Sequence, residues 1–330
     1  MIENKLKIGT MELDGRIIMP PLGTYKCTDD GKVTEELLAY YAARAKNPHV
    51  SMIITEHSYI AMQGKAKPRQ LSVAEDEDLE GLKKLVAVIH EGGAKTVCQL
   101  NHAGSATSPE VSGQQVVAPS PVLHPSKQGM GAEAMPAELS EAQIKQIVRW
   151  FREAAVRAVK VGYDAVEIHS AHAYLLNQFY SPLTNKRTDA YGGSLDSRLR
   201  IHREVIAAVR EAVGPAYPVA IRLGGCDYTE GGSTIEDAVY ASGVFEDAGV
   251  DLIDLSGGTC GYMVPGRTEP GYFRDLSEAV KKEVSVPVLL TGGVKTLDDA
   301  EKLLKEGAAD LIGVGRALFK DAEWEMKDHI

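Results

Sequence analysis

The sequence predicts a single-domain (β/α)8 barrel on three observations. Eight short β-type runs recur along its 330 residues, most are near-continuous Val, Ile and Leu, and segments of helical period separate them. Apolar runs of that kind are the signature of parallel strands buried on both faces. An open doubly wound sheet shares the alternation, but the unit count of eight and the absence of a GxGxxG after the first run favour the barrel.

The runs are "IIMPPL" from Ile17, "VSMIITE" from Val50, "TVCQL" from Thr96, "DAVEIH" from Asp164, "VAIRL" from Val219, "VDLIDLS" from Val250, "PVLLTGG" from Pro287 and "DLIGVG" from Asp310. Ahead of them, residues 6–15 are expected to form a small hairpin closing the lower end of the barrel. "TEELLAYYAARAK" opens a helix at Thr34, and "DLEGLKKLVAVIHEGG" ends one on glycines. A Ser-x-x-Gln capping box at Ser140 starts a long helix that stops at Gly162, and "TLDDAEKLLKEG" ends at Gly307. The stretch 101–139 is too long for a plain connection after strand 3 and is expected to be a lid or binding loop on the catalytic face.

Composition narrows the function classes. Apolar residues make up 44% and charged residues 25%, which suits a globular chain with a large core. The net charge of -10 carries no basic block, so a nucleic-acid surface is not expected. Cys27, Cys98, Cys226 and Cys260 are far apart and form no CxxC pair, which argues against a structural zinc, an iron-sulfur cluster or a disulfide framework. No leader-like start and no apolar run near the roughly 18 residues of a membrane span are present, so a cytoplasmic location is expected.

In a barrel the chemistry lies at the carboxyl ends of the strands. "TGGV" ends strand 7 with Gly292 and Gly293, and "GVGR" ends strand 8 with Gly315 and Arg316. Glycines fit tight barrel turns for their own sake, but two such ends on adjacent strands, with a cation, make a phosphate cradle. Gln99 and Arg222 would then face whatever ring carries that phosphate. His169 and His172 end strand 4 and read three ways: metal ligands, an acid/base pair, or two donors to one substrate oxygen. His57 and Glu56 at the end of strand 2 could complete a zinc site, although Tyr174, a phenolic proton source two residues on, has no metal to serve.

"HSAHAYLLNQFYSPLTNKRTDAYGGSLDSRLR" resembles the signature of the Old Yellow Enzyme family of FMN-dependent ene reductases. "RIIMPPLGTY", "QLNHAG", "IRLGGCDY", "LIDLSGG" and "LIGVGRAL" follow the family's order, and the resemblance covers essentially residues 5–325. It implies that Pro21, Leu22 and Gly23 line the flavin with His57 close by. Gln99 and Arg222 would bind its ring system, and Gly292, Gly293, Gly315 and Arg316 its phosphate. His169 and His172 would hold the substrate's activating oxygen, Tyr25 would help close the substrate pocket, and Tyr174 would be the proton donor.

The implied reaction moves a hydride from NADH or NADPH to FMN, then from flavin N5 to the β-carbon of an activated alkene, with Tyr174 protonating the α-carbon. The loop carrying Arg187, Asp189 and Gly192–Gly193 reads as scaffold, and Ser194 as a helix N-cap. Two departures stand out: Gly23 where many members have Cys or Thr, and His57 where a small residue is common. The first implies an altered reduction potential, since Thr24 should point the other way along an extended strand. The chain ends soon after strand 8, so electrons are expected to come from a bound nicotinamide or a separate protein. Two rival functions stay open: an FMN subunit of a multi-protein enoate, enoyl-CoA or steroid enone reductase, and a flavin carrier or sensor without a reductive substrate. The sequence leaves homo-oligomer formation open.

Overall fold

The computed structural model describes residues 1–125 and 134–326. Eight parallel strands carry the fold: β1 (Ile17–Met19), β2 (Val50–Ile54), β3 (Lys95–Asn101), β4 (Ala165–Ser170), β5 (Val219–Cys226), β6 (Leu252–Gly257), β7 (Val288–Thr291) and β8 (Leu311–Gly313). Each pairs with its neighbour in sequence, and β8 pairs back onto β1, so the sheet closes on itself as a (β/α)8 barrel without an edge.

Every sequence run overlaps one of these strands, though the strands from Lys95, Ala165, Val219 and Leu252 extend beyond the runs. The delimited helices form where their signals stand. Thr34 caps α1 (Glu35–Ala45), and α2 spans Leu79–Glu91. Ser140 and Gln143 build the reciprocal capping box of α3 (Glu141–Val161), which ends on Gly162 at φ 96°. Further helices cover β4 to β8: α4 (Arg200–Val213), α5 (Ile235–Asp247), α6 (Arg274–Lys281), α7 (Leu297–Lys305) and α8 (Arg316–Lys320).

Strand alternation divides the core in two. Ile53, Leu100, Ile168, Ile221, Leu255 and Ile312 point outward into the helix shell. Ile18, Met52, Val97, Ala165, Ala220, Leu252, Leu289 and Leu311 fill the barrel interior, where Ile8, Met11 and Leu13 join them from below. Those last three come from an antiparallel hairpin, Leu6–Ile8 with Met11–Leu13, that plugs the lower mouth. Side chains two residues further along share a strand's inward face. Stepping up from the apolar layer therefore brings Gln99, Glu167, Arg222, Asp254, Thr291 and Gly313 to the next level, and the interior turns polar there. Gly313 is required by this change, because a Cβ at that position would lie 1.9 Å from Thr291 Oγ1.

The insertion after β3 carries a short helix (Pro109–Ser112) and pairs Val117–Ala118 with Ala137–Glu138; its residues 126–133 lie outside the described residues. Arg187, nearly buried, pins both of its arms by donating to Pro119 O at 2.9 Å and Leu139 O at 2.7 Å. The loop after β4 is thus a scaffold for the insertion, and Ser194 caps the helical turn that leaves it by accepting the Ser197 N–H. Among the described residues, no helix is long and apolar enough to cross a membrane.

Candidate active site

A cavity of about 410 Å³ opens at the carboxyl ends of the strands. Pro21, Leu22, Gly23 and Tyr25 enter it after β1, His57 after β2, Gln99 from β3, and His169, His172 and Tyr174 from β4 and its turn. Arg222 rises from β5, Gly292 and Gly293 follow β7, and Gly315 and Arg316 follow β8. All fourteen site residues singled out in the sequence meet in this one cavity. The structure adds Pro20, Tyr262, Tyr272, Thr291, Val294, Gly313 and Phe319 to its walls. Among the described residues of the 101–139 insertion, Gln99's neighbour Asn101 and His124 approach through His57 and the Ala173 carbonyl, but none lines the cavity.

The turn after β4 is held in an unusual backbone. His172 and Ala173 sit consecutively at φ 58° and 56°, a conformation that costs side-chain-bearing residues of order 1 kcal/mol or more each. Hydrogen bonds pay that cost: His172 N–H donates to Gly257 O at 3.2 Å and Ala173 N–H to Asn177 Oδ1 at 2.8 Å. The result brings the two imidazoles to 5.3 Å between ring centres, nearly perpendicular, with the Tyr174 ring 5.1 Å from His169. His169 Nδ1 accepts the Ala171 N–H at 3.2 Å, which leaves Nε2 as the N–H donor. His172 differs, since its Nε2 lies 2.7 Å from Ser256 Oγ and only Nδ1 is left for a ligand.

Burial sets the charge state of all three. It holds both imidazoles well below their ordinary pKa, with the positive charges of their neighbours, Arg222 included, adding to the effect. Burial also raises Tyr174 above the usual phenol range. The trio is therefore two neutral imidazoles and a protonated phenol at neutral pH.

Beneath them lies a polar layer of which sequence reasoning found only Gln99 and Arg222. Gln99 Nε2 donates to Glu167 Oε1 at 2.8 Å, and Arg222 Nε stands 3.3 Å from Asp254 Oδ2. That ion pair is close but not aligned as a hydrogen bond, so Arg222 Nε and both Asp254 oxygens stay without a hydrogen-bond partner, as do Glu167 Oε2 and Thr291 Oγ1. Burial lifts Glu167 well above the carboxylate range, and Asp254 next to it adds to the lift. Asp254 itself is raised to about 6 by burial, against the pull of Arg222. One guanidinium faces two carboxyls here, and burial raises both above the ordinary carboxylate range. The signal was legible in hindsight: an acid in the middle of "DAVEIH" and another in "VDLIDLS" stand at inward positions of buried strands.

Glu56 is turned away from the cavity and accepts from both the hydroxyl and the backbone N–H of Thr24; burial raises it to about 7. Of the strand-2 pair, only His57 therefore stands near the histidines. Among the described residues, no group of three or more His, Cys, Asp or Glu is arranged to hold a metal. At the other end of the cavity, Gly292 and Gly293 adopt φ 153° and 71°, and a Cβ on either would strike Tyr272 at 2.7 Å or Glu269 O at 2.3 Å. Arg316 is exposed, touches Met263 Sδ at 3.7 Å and has no carboxylate partner among the described residues.

Residues 4–329 match the NADH:flavin oxidoreductase / NADH oxidase family. The chain is 39% identical over 327 residues to an NADH oxidase of Thermoanaerobacter brockii, covering 97% of this chain and 49% of that protein. It therefore spans about half the length of that relative. An NADPH dehydrogenase of Geobacillus sp. (strain WCH70) is 36% identical over 327 residues, with 98% of this chain and 92% of that one covered. The solved structure of an old yellow enzyme homologue from Zymomonas mobilis superposes with a TM-score of 0.85 at 27% identity, over 98% of this chain and 90% of the other.

Proposed function

Because the chain belongs to the NADH:flavin oxidoreductase / NADH oxidase family, the Old Yellow Enzyme lineage, we propose that it is an FMN-dependent, NAD(P)H-driven reductase of activated alkenes. The observation that carries this reading is the pair of neutral imidazoles and the protonated phenol gathered on one wall of a cavity whose opposite end is glycine-rich and cationic.

The residues fit FMN on their own chemistry. Arg222 Nε and Thr291 Oγ1 are buried polar atoms that lack a hydrogen-bond partner among the described residues, and Gly292, Gly293 and Gly315 present backbone beside Arg316, which has no carboxylate partner among them. Gln99 and Arg222 would hold the ring system, with Pro21, Leu22, Gly23 and His57 beside it, and the last two strands would hold the phosphate. When bound, FMN takes a hydride from NADH or NADPH and delivers one to the β-carbon of an enone, enal, maleimide or nitroalkene.

The chain's own groups make that delivery productive. His169 Nε2–H and His172 Nδ1–H donate to the carbonyl or nitro oxygen, drawing charge toward it as the β-carbon is attacked. Removing a donor of this kind typically costs about 3 kcal/mol of barrier. Neutral imidazoles suit the task, because they donate to an oxygen without fixing a full charge beside Arg222. Tyr174 supplies the proton to the α-carbon. The exposed rings of Tyr25, Tyr262 and Phe319 at the rim favour flat, apolar substrates.

The half-length match to the NADH oxidase favours one second reading, in which the barrel works with a further redox unit on an enoate, acyl-CoA or steroid enone. One experiment tests both. Purified protein should be yellow, bleach under anaerobic NADH or NADPH alone, and recolour on adding cyclohexenone or N-ethylmaleimide. Slow bleaching with fast recolouring favours the second reading. A reduced protein that ignores every alkene defeats both and leaves a flavin carrier.

A further inference from the structure

The hydrogen bonds of His57 decide which of its nitrogens carries the proton. Gln70 beside it cannot be turned round, because its Oε1 accepts the Ala66 N–H at 2.6 Å while its Nε2 donates to His57 O at 3.0 Å. The same Nε2 lies 2.8 Å from His57 Nδ1, so that ring nitrogen must accept. Asn101 Nδ2 offers a second donor to it at 3.3 Å. An imidazole whose Nδ1 accepts carries its hydrogen on Nε2.

That Nε2 faces the bare backbone of Gly23, where a Cβ would stand 3.5 Å from it and 3.1 Å from the Tyr25 ring. The groups around the ring are Gln70, Asn101, Tyr174 at 5.4 Å and His169 at 6.4 Å between ring centres, with the Arg222 charge nearby. None is a carboxylate. Burial and then Arg222 bring His57 down to about 4, so it stays neutral and keeps this tautomer through the neutral range.

We propose that His57 is a fixed Nε2–H donor to an acceptor atom on the edge of the FMN ring beside Gly23, and that Gln70 is the positioning residue that fixes it. This rests on the FMN reading of the cavity. The imidazole reaches from strand 2 to van der Waals distance of where a Cβ at position 23 would stand, with the Tyr25 ring nearer still, so it supplies from the neighbouring strand a donor that Gly23 cannot. Where that acceptor is a ring carbonyl oxygen, which would gain negative charge on reduction, such a donor favours the reduced cofactor.

The test uses ring-¹⁵N-histidine protein, with and without FMN, together with the flavin midpoint potential. The His57 Nδ1 resonance should be that of an unprotonated nitrogen and Nε2 that of a protonated one, in both forms and unchanged across neutral pH. Gln70→Glu places an acceptor against Nδ1 and should move the hydrogen there. That variant and His57→Phe should each lower the ratio of reduced to oxidised FMN at fixed poise about fivefold, the size of one neutral hydrogen bond.

A protonated Nδ1 in the native protein overturns the proposal, and that measurement needs no variant to fold. Unchanged potentials in both variants, with only the alkene KM altered, overturn it too, since the ligand would then be the substrate. A preparation that never takes up FMN defeats the FMN reading as well, and is told apart by its colourless spectrum beside an unchanged His57 tautomer.

Discussion

In the proposed reaction Tyr174 is the acid, and burial holds its proton more tightly than in water, so the phenol is intact at neutral pH. Tyr174→Phe should therefore slow recolouring by an alkene about 10²- to 10⁴-fold while bleaching by NAD(P)H keeps its rate. Stopped-flow traces of the two half-reactions separate these effects, and equal slowing of both would deny the tyrosine its role. Ser256 offers a subtler test. If its hydroxyl donates to His172 Nε2, it leaves the hydrogen on Nδ1, the nitrogen free to meet a ligand. Ser256→Ala should then cost about fivefold in alkene kcat/KM, the worth of a single hydrogen bond, with the reductive half-reaction untouched. The acids Glu167 and Asp254 did not stand out in the sequence, for a physical reason. Their importance comes from which layer of the barrel they share with Arg222 and Gln99, and that depends on the relative register of four strands.

The strands themselves were legible because burial on both faces writes itself as unbroken apolar runs, and the helices because their caps did. Thr34 and Ser140 cap as their side chains suggest. The insertion was legible only as a length; that Arg187 from the next loop would tie it down required a contact between segments over forty residues apart. The lower hairpin gives the element-scale prediction. Leu13 is fully buried in the apolar layer with Ile18, Met52 and Leu311, at the end of the barrel remote from the cavity. Leu13→Ala should cost about 2–5 kcal/mol of stability in a denaturant titration. Bound flavin should keep its potential and its spectrum, since the polar layer stands between. A shifted potential in that variant would mean that the hairpin and the site are coupled, against the layered picture.

Across the whole molecule, the balance of buried titratable groups predicts how stability depends on pH. Of nine histidines, six, His57, His102, His124, His169, His172 and His202, are buried with lowered pKa values, burial being the leading cause in each. An unfolded chain takes up those protons below about pH 6.5, whereas the native barrel refuses them, so each group removes stability as pH falls from there. Three carboxyls act the other way. Glu56 at about 7, Asp254 at about 6 and Glu167, raised well above its ordinary value, hold native-state protons that an unfolded chain releases, so their contribution is full at low pH and is lost as pH rises through those values. The histidines outnumber the opposing carboxyls, so they control the sign of the dependence below about pH 6.5, where the unfolded chain takes up protons that the barrel refuses. Melting temperatures should therefore fall on acidification below about pH 6.5. Glu56→Gln removes one opposing group, so its profile should be steeper than that of the parent, and melting curves that are flat or rise on acidification would show that these imidazoles are not held neutral in the folded barrel.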